Sequence, residues 1–164
     1  MYRKNTLRLP FWDYSSPGYY FVTICTKDKN CYFGKINNGI IQYSSIGGKA
    51  AYFWNQIPQH FSHVELDKWI IMPNHIHGII VLKEKNSIKE EFNKFSKPIS
   101  GSLSIVINHF KASVTRWCKQ NAKHYFSWQK GFYEHIIRSE KSLTSIREYI
   151  LNNPIKWDLD EYYQ

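Results

Sequence analysis

Cysteine is scarce in this 164-residue chain: Cys25, Cys31 and Cys118 are odd in number and form no CxxC pair. That argues against a disulfide framework or a cysteine-built zinc site, and it suits a reducing, cytoplasmic setting. Long apolar runs are also missing. No segment approaches the roughly 20 residues of a membrane span, so no membrane partner is expected. The opening MYRKNTLRLP has basic residues without an apolar stretch behind them, which argues against a signal peptide. No internal repeat is found. Acidic side chains are few, 13 against 22 Lys and Arg, for a net charge of +9. Such an excess attracts phosphates, and the 17% of aromatic residues includes rings that could stack on unpaired bases if exposed. Hydrophobic residues make up 43%, enough at this length for one domain (1–164) with a proper core.

The stretch WIIMPNHIHGIIVL (69–82) places two histidines one residue apart inside a β-prone apolar run. On a strand, His75 and His77 project from the same face, about 6–7 Å apart along the chain. They are either core residues with satisfied nitrogens or two ligands of one metal ion.

Around them the patterning alternates between strand and helix. GYYFVTICTK (18–27) reads as a strand, and CYFGKINNGIIQYS as a hairpin turning at Asn37-Asn38-Gly39. SSIGGKAAYFWNQIP reads as a serine-capped helix ending near Pro58. VELDKWIIMPN and HIHGIIVLK read as two strands, or as one strand broken near Pro73-Asn74. Residues 84–101 are polar without apolar period and read as an exposed connection. Leu103, Val106, Ile107, Phe110, Val114 and Trp117 mark the apolar face of a second helix. GFYEHIIRS (131–139) is a strand, and KSLTSIREYILNNP a last helix stopped by Pro154. The order predicts an α+β, ferredoxin-like βαββαβ fold with an antiparallel sheet, an inserted β-hairpin and one further C-terminal helix. On that last helix Leu143, Ile146 and Ile150 form the apolar stripe. Tyr149 and Asn153, four residues apart, lie together along its edge. There they could simply pack, or they could present a nucleophile beside a metal ligand.

MPNHIHGIIVL, SWQKGFYEHIIRS and IREYILNNPIKW, in that order, resemble the REP-associated tyrosine transposases. These belong to the IS200/IS605-like group of HUH (His, hydrophobic residue, His) single-strand endonucleases. The resemblance runs from about residue 17 to 157. It implies a magnesium or manganese ion held by His75 and His77, with Asn153 as a third ligand and Tyr149 as nucleophile on the C-terminal helix. Two imidazoles are nitrogen-rich for magnesium, which leaves room for manganese. It also implies attack on single-stranded DNA near a REP-like hairpin, through a 5′-phosphotyrosine, by a monomer or a homodimer. Tyr133 is the rival nucleophile. His135 shares its strand face and is an outside candidate for ligand or general acid/base.

Candidate DNA contacts are Arg3, Lys4 and Arg8 in a basic N-terminal arm (1–16), with Lys111, Arg116 and Lys119 on the second helix and Lys123 just after it. The helical set spreads around the axis, as an ordinary solvated surface also would. Two other functions remain open: a non-catalytic nucleic-acid-binding module of the same fold, and a replication-initiator or relaxase-type nickase. The first would need none of His75, His77, Tyr149 and Asn153. The second usually carries extra domains or a third histidine ligand.

Overall fold

The computed structural model describes residues 13–84 and 101–163. Arg3, Lys4 and Arg8, and nearly all of the expected connection at 84–101, lie outside them. The described chain runs β1 (Gly18–Cys25), β2 (Gly34–Asn37), β3 (Ile40–Tyr43), α1 (Ser45–Asn55), α2 (Ile57–His60), β4 (Val64–Ile71), β5 (His75–Leu82), α3 (Leu103–Gln120), β6 (Tyr133–Ile137) and α4 (Glu140–Asn152). The main sheet has the order β4-β5-β1-β6, with every neighbour antiparallel. With β2–β3 set aside, this is the ferredoxin-like βαββαβ arrangement. The hairpin turns through Asn38 and Gly39, both at positive φ (51° and 72°), the geometry that Asn-Gly favours. Ser44 caps α1 by accepting from the Gly47 amide (3.1 Å). Pro58 does more than end α1: it sits in the first turn of α2, where its missing N–H costs nothing.

Strand alternation divides the sheet into two faces with different tasks. Tyr20, Val22 and Ile24 of β1 and Ile76, Ile80 and Leu82 of β5 point into the main core beneath α1 and α3. On that face Gly78 is required by packing: a Cβ there would lie 2.4 Å from the Trp54 ring. Trp54 in turn meets Phe110 of α3 edge-on at 5.1 Å. The opposite face carries Phe21, Ile70, Ile79 and Ile137. There α4 lays down Leu143, Ile146 and Ile150, the stripe read from the sequence. β5 is thus covered on both sides, which explains its nearly unbroken apolar character.

Candidate functional site

His75 and His77 share the α4 face, opposite Cys25 and Thr23 of β1. Both are almost wholly buried, and their rings are 4.4 Å apart. The hydrogen bonds around His75 fix its tautomer. The Asn74 amide nitrogen donates to the Lys29 and Tyr162 carbonyls (2.9 and 2.7 Å), so its oxygen faces His75 Nδ1 at 2.9 Å. A carboxamide oxygen only accepts, so Nδ1 carries the proton and Nε2 a lone pair. That Nε2 is buried with no hydrogen-bond partner. Burial, and then the Lys29 charge, push the His75 pKa down to about 3, so the ring is neutral at working pH. His77 is held well below its ordinary value chiefly by burial. Its Nδ1 lies 2.9 Å from the buried Thr23 hydroxyl, and its Nε2 3.1 Å from the Tyr149 hydroxyl.

Tyr149 reaches this point because α4 runs back over the sheet towards β4. Arg147 Nε lies 3.1 and 3.2 Å from the two Asp67 carboxylate oxygens, tying the helix to the β4 bulge between Leu66 and Trp69. Two residues on, Tyr149 turns towards His77 of its own chain, edge-on to Phe21 at 6.2 Å. Desolvation, followed by Asp160 and Glu161, raises its pKa to about 12. Asn153 completes the row. Its amide donates to Asp160 Oδ2 at 3.0 Å, which leaves its own oxygen buried and without a partner. The Asn153 side chain lies within hydrogen-bonding reach of both His75 and Tyr149. Yet neither its oxygen nor His75 Nε2 has a proton to offer the other. Two bare lone pairs in one buried place suit a cation.

The C-terminal turn adds a group that the sequence reading missed. Ligand atoms of His75, His77 and Asp160 lie within 4.8 Å of one another. Ligands about 2.1–2.3 Å from a shared ion are separated by roughly 3–4.5 Å, so these three residues could hold a metal with slight closure. Asp160 also supplies the oxygen donor that two imidazoles lack. Tyr162 packs over His75, ring to ring at 4.5 Å, and burial raises its pKa. The only sequence signal for either residue is their place in an acidic, aromatic tail, DLDEYY.

The other expected residues are more dispersed. Tyr133 and His135 lie on the α4 face of β6, exposed, with Tyr133 opposite Thr23 and His135 opposite Phe21. The Lys111 ammonium is committed internally: it donates to the Gln129 and Gly131 carbonyls (both 2.9 Å) and lies over the Trp128 ring. Arg116 and Lys119 follow it on α3, on the far side of the sheet from Tyr149. Beside Tyr149, a groove of about 530 Å³ runs between α4 and the C-terminal turn, lined by Glu148, Asn152, Asn153, Lys156 and Asp160 among others.

No family model matches the chain. It is 39% identical over 170 residues to an uncharacterized protein of Haemophilus influenzae, covering 99% of this chain and 94% of that one. A second Haemophilus influenzae protein, named as a REP-associated tyrosine transposase, is 27% identical over 154 residues, covering 88% of this chain and 74% of the other. The chain resembles the REP-associated tyrosine transposases. The fold agrees. A solved REP-associated tyrosine transposase bound to a REP hairpin superposes with a TM-score of 0.60 at 19% identity, over 88% of this chain and 71% of that one. Among the described residues no helix is long and apolar enough to cross a membrane. In this chain the helix carrying Tyr149 meets the strand carrying His77.

Proposed function

We propose that this chain is a transposase of the REP-associated tyrosine type, a metal-dependent nickase and strand transferase of single-stranded DNA. It would act at hairpin-flanked sites through a 5′-phosphotyrosine on Tyr149. The observation that carries the proposal is the Tyr149 hydroxyl at 3.1 Å from His77 Nε2, beside the buried, partnerless His75 Nε2 and Asn153 oxygen. In this reading His75, His77 and Asn153 hold a divalent cation, magnesium or manganese, and Asp160 is a further ligand. The cation, when bound, polarises the scissile phosphate and favours the ionised form of a nearby phenol. Asn74 and Thr23 orient the two imidazoles, as outer partners of metal-ligating histidines do. α4 and the Asp67–Arg147 pair hold the tyrosine against the sheet. With a pKa near 12, Tyr149 is a neutral phenol at rest and attacks only when charge is supplied beside it. Its oxygen forms the new bond to phosphorus as the bond to the 3′ oxygen breaks, and the departing 3′ oxygen takes up a proton. The ester on Tyr149 conserves the bond energy, so a second 3′-OH can reverse the step and join new ends. The rest of the surface would serve the strand: a +9 chain in which Arg116, Lys119 and the N-terminal Arg3, Lys4 and Arg8 are candidate phosphate contacts. In one chain the tyrosine meets its own histidines, which favours a site that works within a monomer.

The test is a labelled hairpin oligonucleotide with unpaired flanks, drawn from DNA beside this gene, incubated with manganese or magnesium and then denatured. A covalent protein–DNA band that is lost with chelator and with Tyr149→Phe, and kept with Tyr133→Phe, is expected. Tight binding with no band under any metal would replace this reading with a binding module. A band surviving Tyr149→Phe would move the nucleophile elsewhere.

A further inference from the structure

Among the described residues, the α4 face of the sheet is only half covered. α4 crosses it towards β4, burying Ile79, Ile137, Leu143 and Ile150 and packing on Ile70. The β1–β6 half stays open at the level of the candidate site. Directly opposed residues share a face, so β1 and β6 set Thr23 beside Tyr133 and Phe21 beside His135. Tyr133 is 36% exposed and His135 is exposed, and neither makes a hydrogen bond, ion pair or ring contact with any described residue. Exposed rings stabilise the fold little, which leaves both free to meet a ligand. Phe21 joins them to the site: its half-exposed ring stacks on His77 at 5.4 Å (27° between planes) and meets Tyr149 edge-on. Tyr149 itself is 44% exposed on the same side. Phe21, Tyr133 and His135 therefore share the sheet face beside Tyr149.

We propose that Phe21, Tyr133 and His135 form a stacking shelf for an unpaired nucleobase of the strand whose backbone lies at Tyr149. This rests on the single-strand reading above and adds where that strand is gripped. The occupant follows from chemistry. Aromatic side chains on the same sheet face as a phosphate-reacting site, on a +9 protein, suit a base attached to that phosphate better than an apolar peptide. Stacking is tolerant of base identity, so the shelf fixes position while leaving sequence choice to other contacts. It also gives Tyr133 a role that uses its ring and not its hydroxyl.

The experiment measures affinity for the same flanked hairpin in a Tyr149→Phe background with manganese, so that no covalent product forms. Tyr133→Ala is expected to weaken binding by about 5- to 150-fold, the usual range for losing one base–aromatic stack. Tyr133→Phe should bind within about twofold of the parent, because it keeps the ring. Abasic nucleotides are then placed one at a time along the unpaired flank. One position should weaken the parent and leave Tyr133→Ala no weaker than before. Equal binding by Tyr133→Ala, or penalties that simply add at every abasic position, would overturn the shelf while leaving the single-strand reading intact. A parent that binds no unpaired flank better than the bare hairpin stem would overturn both. Thermal unfolding at the parental temperature confirms that Tyr133→Ala is folded.

Discussion

Replacing His75 with glutamine should flatten the dependence of stability on pH between 5 and 8. The folded protein keeps His75 neutral down to a pKa of about 3, whereas the unfolded chain titrates near the ordinary value of 6.5. A depressed histidine pKa means that the unfolded state binds more protons throughout this window. Stability therefore falls as pH falls, beginning near 6.5 and continuing towards the folded pKa. Each pH unit costs about 1.36 kcal/mol once the unfolded imidazole is protonated. Between pH 8 and pH 5 this amounts to about 2 kcal/mol from His75 alone. His77, shifted in the same direction, adds to the wild-type slope. The Asp67 carboxylate is depressed by Arg147 and loses its contribution at lower pH, outside this window. The assay is urea unfolding at pH 5, 6, 7 and 8 with chelator present, comparing slopes because the substitution also shifts the absolute value. Parallel profiles for wild type and His75→Gln would refute the tautomer and burial reasoning. Manganese should raise wild-type stability by a nearly constant amount across this window, since the ring it would bind is already neutral in the folded protein.

Asp160→Asn should weaken manganese binding by at least about tenfold in calorimetric titration, while melting in chelator changes little. Unchanged affinity would remove Asp160 from the ligand set. Asp67→Asn should cost about 1 kcal/mol, since Arg147 is 36% exposed in its side chain and the pair is partly screened. It should slow the covalent step without changing affinity for the hairpin, and equal loss of both would argue against a positioning role. Gly78→Ala should destabilise by about 1–3 kcal/mol in urea unfolding, because the added methyl meets the Trp54 ring.

What could be read from the sequence was whatever depends on local period and turn chemistry. The alternation of β1 and β5, the Asn38-Gly39 turn, the serine cap of α1 and the stripe on α4 each follow from spacing, and together they gave the strand order. The shared face of His75 and His77 was equally legible, because it needs only the two-residue repeat. Asp160 was not, since a carboxylate delivered by a short C-terminal turn has no period to betray it. Nor was the internal use of Lys111: a lysine that closes a loop against backbone carbonyls looks in sequence like any solvated one. Asp67 lay in a strand whose bulge re-aims it, and alternation alone does not foresee a bulge.

The spacing of the two histidines acquires a structural reason once both faces of β5 are considered. Ile76 between them points the other way, into the main core, where it is fully buried. The same is true of Gly78, whose missing side chain admits Trp54. The residues that present the imidazoles are thus interleaved with residues that anchor the strand. The site cannot slide by one position without turning Ile76 and Trp54's pocket onto the wrong face. On the far side, α4 is held by a small apolar cluster, the partly exposed Arg147–Asp67 pair and the Tyr149–His77 contact. The histidine half of the site is therefore fixed by the deepest part of the fold, and the tyrosine half by a comparatively light attachment. In the proposed reaction that asymmetry supplies a rigid seat for the phosphate and a nucleophile on an element able to shift.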